Sequence, residues 1–300
     1  MLSNEKSEKD LLQGPFLFIV NPKSGTGLAQ TFLEYIKTVK HQQSVEVVVS
    51  ESGEHSVSLA KNAAFNGYSA VIAVGGDGSV HEIGLELIHT NVALGIVPTG
   101  SGNGVSRHLG ISNDVKTATQ QMLSGNFKHI DTIKANENRA IGFCGIGIDA
   151  HVASVFANST ERGFNNYMKL TIDAFSNYTP TPFEIVDSQL PISEAYTVVI
   201  ANTSQFGNNA YINPKGKDDD GLLECIVIGK FPQIAFPELA SRLFLKSIDK
   251  SRHVKVLKNK RFTLKNIGLA PFQIDGETIE TANTFTFEVD PKSLKVIVPK

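Results

Sequence analysis

The chain has 300 residues, of which 41% are hydrophobic and 19% charged, and a formal charge of −2. That is apolar mass for one large or two ordinary globular domains, with no basic excess pointing to nucleic acid. Two cysteines, Cys144 and Cys225, make neither a disulfide framework nor a metal-ligand spacing, which suits a reducing cytoplasm. No apolar run reaches the roughly 18 residues a bilayer-spanning helix needs, so any membrane contact is expected to be peripheral.

Residues 1–14 are polar, lack the apolar core of a signal peptide, and read as a flexible tail. A buried strand over 16–20 then stops at Asn21-Pro22-Lys23-Ser24-Gly25-Thr26-Gly27. Glycines and Lys23 there suit a phosphate. No Gly-Lys-Ser/Thr follows at Walker A spacing, so a plain strand–helix turn is the alternative. A helix over 29–40, a strand over 45–49 and a second amphipathic helix with Val57, Leu59, Ala60, Ala63 and Ala64 come next. The apolar run 70–74 ends at Gly75-Gly76-Asp77-Gly78-Ser79, a helix over 80–88 follows, and the run 93–98 ends at Thr99-Gly100-Ser101-Gly102-Asn103-Gly104. Strands alternating with helices through short connections give a doubly wound α/β sheet, whose ligands bind beyond the carboxyl ends of the strands. Glycines let a backbone approach phosphate oxygens without Cβ clash. Asp77 would repel phosphate, so it reads as a Mg²⁺-linked or acid/base group, or else as an Asx cap of a glycine turn.

A short helix with Arg107 and His108 and a further helix over 114–123 complete this half. From about Phe127 the pattern changes to short, often alternating runs at 131–133, 139–147, 183–186, 196–202, 222–228, 254–257, 262–264 and 285–289, the signature of an antiparallel sandwich-like domain. The expected organisation is therefore a tail over 1–14, an α/β domain over 15–126, a β-rich domain over 127–290, and a last strand within 291–300 whose domain the pattern leaves open. Gly145-Ile146-Gly147-Ile148-Asp149-Ala150 matches a dinucleotide fingerprint but falls in the β-rich half, which excludes that reading. The stretch 231–246 is too apolar to lie fully exposed, and either packs on the sandwich or lines a lipid groove. Residues 246–265 then hold eight Lys/Arg against one acid, Asp249, which reads as a solvated strand face or a patch for anionic lipid.

The motifs GGDGSVHE and PTGSGNG, preceded by Asn21-Pro22-Lys23-Ser24-Gly25 and followed by Asp220-Gly221-Leu222 and Asp275-Gly276-Glu277, resemble the diacylglycerol kinase catalytic superfamily. Its bacterial lipid kinases and sphingosine kinases are the relevant members. Gly100-Ser101-Gly102-Asn103-Gly104 has the sphingosine-kinase form, where bacterial relatives have Gly-Thr-x-Asn-Asp, so the acceptor is not read as diacylglycerol by default. The resemblance implies an N-terminal α/β ATP-binding domain and a C-terminal β-sandwich-like lipid domain, with the active site in the cleft between them. It implies ATP and Mg²⁺ as cofactors, with Asn21, Pro22, Lys23, Ser50, Gly75, Gly76, Asp77, Gly78, Ser79, Gly100, Ser101, Gly102 and Asn103 at the nucleotide. Ser50 is otherwise a helix N-cap.

In the resembled family, Asp149 meets the lipid head group, with a helix N-cap as the bland alternative. Arg162 and Lys169 match basic residues that some relatives place on nucleotide phosphates. Asp220 matches a structural Mg²⁺ ligand, or is an acidic turn. Glu277 resembles the proton acceptor of bacterial lipid kinases, whereas sphingosine kinases give that role to the position of Asp77. Asp275 joins these as a candidate catalytic carboxylate, although Asp-Gly-Glu also suits a hairpin turn. Glu277 is favoured as the base, because a nearby Mg²⁺ would make Asp77 a weak one. The expectation is thus a kinase acting on the hydroxyl of a membrane lipid such as diacylglycerol or a sphingoid base, working at the membrane periphery, without nucleic acid, and with a homodimer left open. The alternatives are an NAD kinase-like enzyme and a non-catalytic nucleotide- or lipid-binding protein.

Overall fold

The computed structural model describes residues 14–24, 27–41, 44–159, 163–186, 188, 190 and 193–300. The expected tail (through residue 13), Gly25, Thr26 and Arg162 lie outside the described residues. The chain divides into two compact units, one running to Ile130 and resuming over Ser293–Lys300, the other covering Asp131–Lys292.

The first unit contains β1 (Phe16–Val20), α1 (Leu28–Ile36), β2 (Val45–Val49), α2 (Gly53–Phe65), β3 (Ala70–Gly75), α3 (Asp77–Leu87), β4 (Ala93–Pro98), α4 (Gly104–His108) and α5 (Val115–Ser124). Its strands are all parallel, in the order β2-β1-β3-β4. Beside β4 lies the end of the C-terminal strand β15 (Thr284–Val298), with Val296 opposite Leu94. Every residue of β1, β3 and β4 is buried, as Val/Ile-rich strands covered on both faces must be. Phe32 of α1 stacks on Phe18 of β1 with ring centroids 5.3 Å apart. Helix α2 starts where the Ser52 hydroxyl accepts the His55 N–H, and α5 where Asp114 accepts the N–H of Thr117. Helix α1 stops at Ile36, short of the expected residue 40, because the Thr38 N–H and hydroxyl both turn back onto the Tyr35 carbonyl. The chain steps outward from β1 to β2, then returns to the opposite side of β1 at β3. That reversal is the switch point at which open α/β sheets bind ligands.

The second unit is antiparallel and β-rich. It holds β5 (Asn126–Ala135), β6 (Asn138–Ala140), β7 (Phe143–Gly147), α6 (Ile148–Ala157), α7 (Phe164–Asn177), β8 (Thr181–Ile185), β9 (Ser193–Ala201), β10 (Leu223–Gly229), α8 (Phe236–Phe244), β11 (Val254–Asn259), β12 (Arg261–Asn266), β13 (Phe272–Ile274), β14 (Glu277–Ile279) and most of β15, with β5 starting in the first unit. Strand β9 pairs with β7, β8 and β10; β13 joins β7 to β14, β12 joins β8 to β15, and β11 pairs with β10. One core gathers Phe262, Phe272, Phe285 and Phe287, and another gathers Ile148, Tyr196, Phe231 and Leu239. The run 139–147 is broken between β6 and β7, and the two runs at 285–289 and 294–299 are a single strand. The stretch 231–246 packs on the unit through Phe231 and Leu239, while Ile234 and Leu245 are 89% and 73% exposed. Among the described residues no helix is long and apolar enough to cross a membrane.

Asp131 ties three segments of this unit together. Its fully buried carboxylate accepts the N–H of Gly221 at 2.7 Å and of Lys292 at 2.8 Å, and its own N–H reaches the Asp218 carbonyl. An Asp131→Ala variant strands both donors and is expected to lose about 2–4 kcal/mol of stability. Urea unfolding followed by circular dichroism measures it, and a loss under about 0.5 kcal/mol contradicts the role.

Candidate active site

Three loops follow the carboxyl ends of β1, β3 and β4, and hydrogen bonds join them. The Asn21 N–H donates to the Val74 carbonyl at 3.0 Å and its side-chain amide to the Ser79 hydroxyl at 3.0 Å. The Asn21 amide oxygen in turn accepts the N–H of Lys23. The Thr99 N–H donates to the Gly75 carbonyl, and its hydroxyl to that of Ser24 at 2.9 Å. Pro22 and Lys23 are exposed. Ser50 is buried and turns its N–H and hydroxyl onto the Val20 carbonyl; Ser52, not Ser50, caps the following helix.

Asp77 opens α3, and its side chain crosses to the next loop. One carboxylate oxygen accepts the Asn103 N–H at 2.8 Å and the other the Gly104 N–H at 2.7 Å, so Asp77 caps α4 from a neighbouring helix. Close approach explains the glycines. A Cβ on Gly100 would lie 2.6 Å from the Gly76 Cα, and one on Gly102 would lie 2.6 Å from an Asp77 carboxylate oxygen. At Gly76, Gly100 and Gly102 the missing Cβ makes room for the facing loop. Gly75 keeps clear of Ser79, whose side chain a Cβ would meet at 2.4 Å.

Gly76, the N-cap of α3, provides no side-chain cap, and the first intrahelical bond runs from the Val80 N–H to the Gly76 carbonyl. The N–H groups of Asp77, Gly78 and Ser79 therefore have no acceptor within the helix, at its positive dipole end. Asn103 has φ of 54°, its amide N–H donates to the Gly100 carbonyl at 2.8 Å, and its buried side-chain oxygen has no hydrogen-bond partner. Anionic groups fit those N–H donors, and a donor-bearing ligand fits that oxygen. Ser101 is exposed in the same loop.

In the second unit the candidate catalytic carboxylate Asp275 fastens backbone. It sits at φ of 48° with Gly276 at 95°, in a two-residue Asp-Gly hairpin between β13 and β14. Its oxygens accept the N–H groups of Ile141, Gly142 and Phe143 at 2.8–2.9 Å, which is why the run 139–147 breaks there. Glu277, the first residue of β14, is exposed. Asp149 lies in the first turn of α6 rather than at its N-cap, which is Gly147. Its carboxylate accepts the Thr197 hydroxyl at 2.5 Å and the Gln273 amide at 3.0 Å. Burial holds this carboxyl above its usual range, against the opposing effect of those donors and of backbone N–H groups. Burial and the Asp149 charge also push up the phenols of Tyr167 and Tyr178, the latter to about 12. Lys169 lies on α7.

Gln273 and Thr197 were missed in the sequence. Gln273 is buried, and its other end accepts the Gly276 N–H at 2.7 Å, so one amide links Asp149 to the hairpin that carries Glu277. A glutamine between Phe272 and Ile274 was the available signal. Gly145 leaves the space this contact uses, since a Cβ there would lie 1.6 Å from an Asp149 oxygen.

Asp220, the expected Mg²⁺ ligand, lies in an ion-pair cluster. Lys258 Nζ lies 2.8 Å from an Asp220 oxygen and 2.8 Å from one of Glu224, whose other oxygen accepts the Asn213 amide at 2.9 Å. These two hydrogen bonds raise the Lys258 pKa, Asp220 first. Among the described residues no group of three or more His, Cys, Asp or Glu side chains could hold a metal ion. In this cluster the cation that meets Asp220 is the Lys258 ammonium.

Comparison with known proteins agrees with this geometry. Residues 15–135 match the family model of the diacylglycerol kinase catalytic domain. Residues 142–298 match that of the YegS C-terminal NAD kinase beta sandwich-like domain. A diacylglycerol kinase of Bacillus subtilis (strain 168) is 24% identical over 272 residues, covering 86% of this chain and 88% of that protein. An uncharacterised protein of Synechocystis sp. is 28% identical over 310 residues, covering 94% of this chain and 69% of that one. The crystal structure of a diacylglycerol kinase from Bacillus anthracis str. Sterne shares the fold with a TM-score of 0.74, at 21% identity over 95% of this chain and 96% of that chain. With both domain models matched in order, the chain belongs to the diacylglycerol kinase catalytic-domain family.

Proposed function

We propose that the protein transfers the terminal phosphoryl group of ATP to a hydroxyl of a membrane lipid. Family membership supports the kinase class. The observation that carries the reading further is the set of three tied loops at the switch point, with the N-terminus of α3 among them. Such an end, with exposed Lys23 on the loop after β1, suits the phosphates of a nucleotide. Asn103 offers its unpartnered oxygen to the same ligand. Mg²⁺ bound to the nucleotide would offset phosphate charge, and the protein's own contribution is positioning and electrostatics.

Asp77 acts by holding the PTGSGNG loop against the GGDG loop. Glu277 takes the proton of the acceptor hydroxyl, for it is exposed while the Asp275 oxygens are committed to backbone N–H groups. Asp275 and Gln273 set the hairpin that carries Glu277, and Asp149 meets the lipid head group through a remaining lone pair. One finding favours a second acceptor: the C-terminal family model is described as NAD kinase-like. Radiolabelled ATP incubated with diacylglycerol, a sphingoid base and NAD⁺ separates the two. Label is expected in the organic phase, and label found in NADP⁺ alone overturns the lipid reading.

Three variants divide the roles. Glu277→Gln is expected to lower kcat by roughly 10²–10⁴ while leaving the ATP Kd within about twofold. Near-normal turnover would remove Glu277 from the mechanism. Asp77→Asn keeps a single acceptor oxygen for two N–H donors, so ATP affinity and turnover are both expected to fall by about tenfold or more. An unchanged Kd by calorimetry would show that the clamp does not shape the nucleotide site. Gly100→Ala pushes a methyl group against the Gly76 Cα and is expected to weaken ATP binding in a protein whose circular dichroism is normal. Wild-type affinity in that variant would separate loop spacing from phosphate binding.

A further inference from the structure

We propose that Gln273 is a positioning residue: it locks the carboxylate that meets the acceptor to the hairpin that carries the base, so that acceptor binding and proton removal are held in register. This rests on the reading in which Asp149 meets the lipid head group and Glu277 takes the proton of its hydroxyl.

The sheet is shaped for this contact. On β13, Phe272 and Ile274 point into the core with Phe285 and Phe287, and side chains alternate along a strand, so Gln273 projects from the other face. It stands opposite Gly145 in the β7–β13 ladder, and Thr197 stands opposite Gly147 in the β7–β9 ladder. Residues directly opposite or two apart share a face, so that face carries two glycines between a glutamine and a threonine. The head of α6 comes down on it, with Asp149 in the first turn. A Cβ on Gly145 would lie 1.6 Å from an Asp149 oxygen and 2.8 Å from the Gln273 amide nitrogen. One on Gly147, at φ of 119°, would lie 2.3 Å from the Tyr196 carbonyl oxygen. The Gly-x-Gly-x-x-Ala run over 145–150, which matches a dinucleotide fingerprint, thus serves a side-chain contact.

The two ends of the amide are not interchangeable. A carboxylate only accepts and a backbone N–H only donates. Gln273 Nε2 therefore faces the Asp149 oxygen at 3.0 Å, and Oε1 faces the Gly276 N–H at 2.7 Å. Turned over, the amide would set donor against donor and acceptor against acceptor. Leucine or methionine brings neither group, glutamate brings two acceptors, and asparagine is one methylene shorter. At 2% exposure the side chain has left water, and these two bonds offset that cost. Thr197 bonds the other Asp149 oxygen and lies 3.1 Å from the Ile146 carbonyl, whereas Gln273 bonds Asp149 and the hairpin.

Both functional ends stay within reach of a ligand. Asp149 is half-buried and Glu277 is exposed. Gly276, at φ of 95°, has nothing within 4 Å of where a Cβ would lie, so the hairpin tip stands in open space. There Gln273 Oε1 restrains the backbone one residue before the base. Asp275 fastens the same hairpin to Ile141, Gly142 and Phe143, a tie that leaves Asp149 out. Misplacing reacting groups by about 1 Å costs about a hundredfold in rate, so a single amide between the two carboxylates has leverage on turnover.

The test is a double-mutant cycle with radiolabelled ATP and the acceptor that takes the label. Gln273→Met keeps the length of the side chain without donor or acceptor. It is expected to lower kcat about ten- to a hundredfold and to raise the acceptor KM about threefold or more, with the ATP Kd by calorimetry within about twofold. Thr197→Val removes a donor from Asp149 and none from the hairpin, and is expected to raise KM by more than it lowers kcat. In a Glu277→Gln background, Gln273→Met is expected to raise KM again but to take no more than about twofold off kcat, because the base it positions is gone. Wild-type kcat in Gln273→Met overturns the proposal. So does a full second loss of kcat in the double variant, which is what general damage to the fold produces. Gln273→Leu replaces Gln273→Met if circular dichroism shows that the latter does not fold. Failure of the underlying reading looks different. Near-normal turnover in Glu277→Gln removes the base, and the register with it, whatever Gln273→Met does. Label in NADP⁺ alone removes the lipid, and the cycle run on NAD⁺ still decides Gln273.

Discussion

A single carboxylate holds the first unit's ligand-facing end in shape. Asp77 starts one helix and caps the next, and its two oxygens meet the N–H groups of Asn103 and Gly104. Two backbones approach so closely there that Gly76 and Gly100 leave no room for a side chain between them. The electrostatics follow from this division. By satisfying the start of α4, the carboxylate directs its negative charge at one helix end while the adjoining end of α3 lacks a side-chain cap.

The second unit uses buried carboxylates in the same way. Asp131, Asp275 and Asp149 each accept hydrogen bonds from segments distant in the chain. Buried acids are tolerable when their oxygens are so engaged. Asp149 still shows the cost of leaving water, its carboxyl raised by desolvation. The neighbouring Cys144 thiol is pushed up further by burial and by the charges of Asp275 and Asp149, so it is not a nucleophile at neutral pH. The chain from Thr197 through Asp149 and Gln273 to Gly276 makes the head of α6 and the β13–β14 hairpin one polar assembly.

Much of this architecture was legible in the sequence. Runs such as 70–74 and 93–98 are Val/Ile-rich and end at glycines, so strand, burial and loop position could all be read from them. The parallel-to-antiparallel change near residue 127 showed in the shift from long helical spacings to short alternating runs. What escaped was whatever depends on a partner far along the chain. Nothing local distinguishes an Asp77 that faces a ligand from one that caps a helix 27 residues on. The break at 141–142 is set by Asp275, more than 130 residues later. Strand β15 passes through Asp290-Pro291-Lys292, composition that reads as a turn, because the Lys292 N–H is met by Asp131.

Lys258 has a consequence for how the protein relates to its solution. A bound divalent ion exchanges with its surroundings, so a turn built on one is only as ordered as the free ion concentration allows. An ammonium on a β-strand is covalently part of the chain, so one Lys258 is always present for the two acids it bridges. Order at the Asp220 turn is therefore tied to the formation of the β10–β11 ladder, in which Lys258 stands opposite Glu224. Loss of the ladder takes the ammonium away from both acids at once.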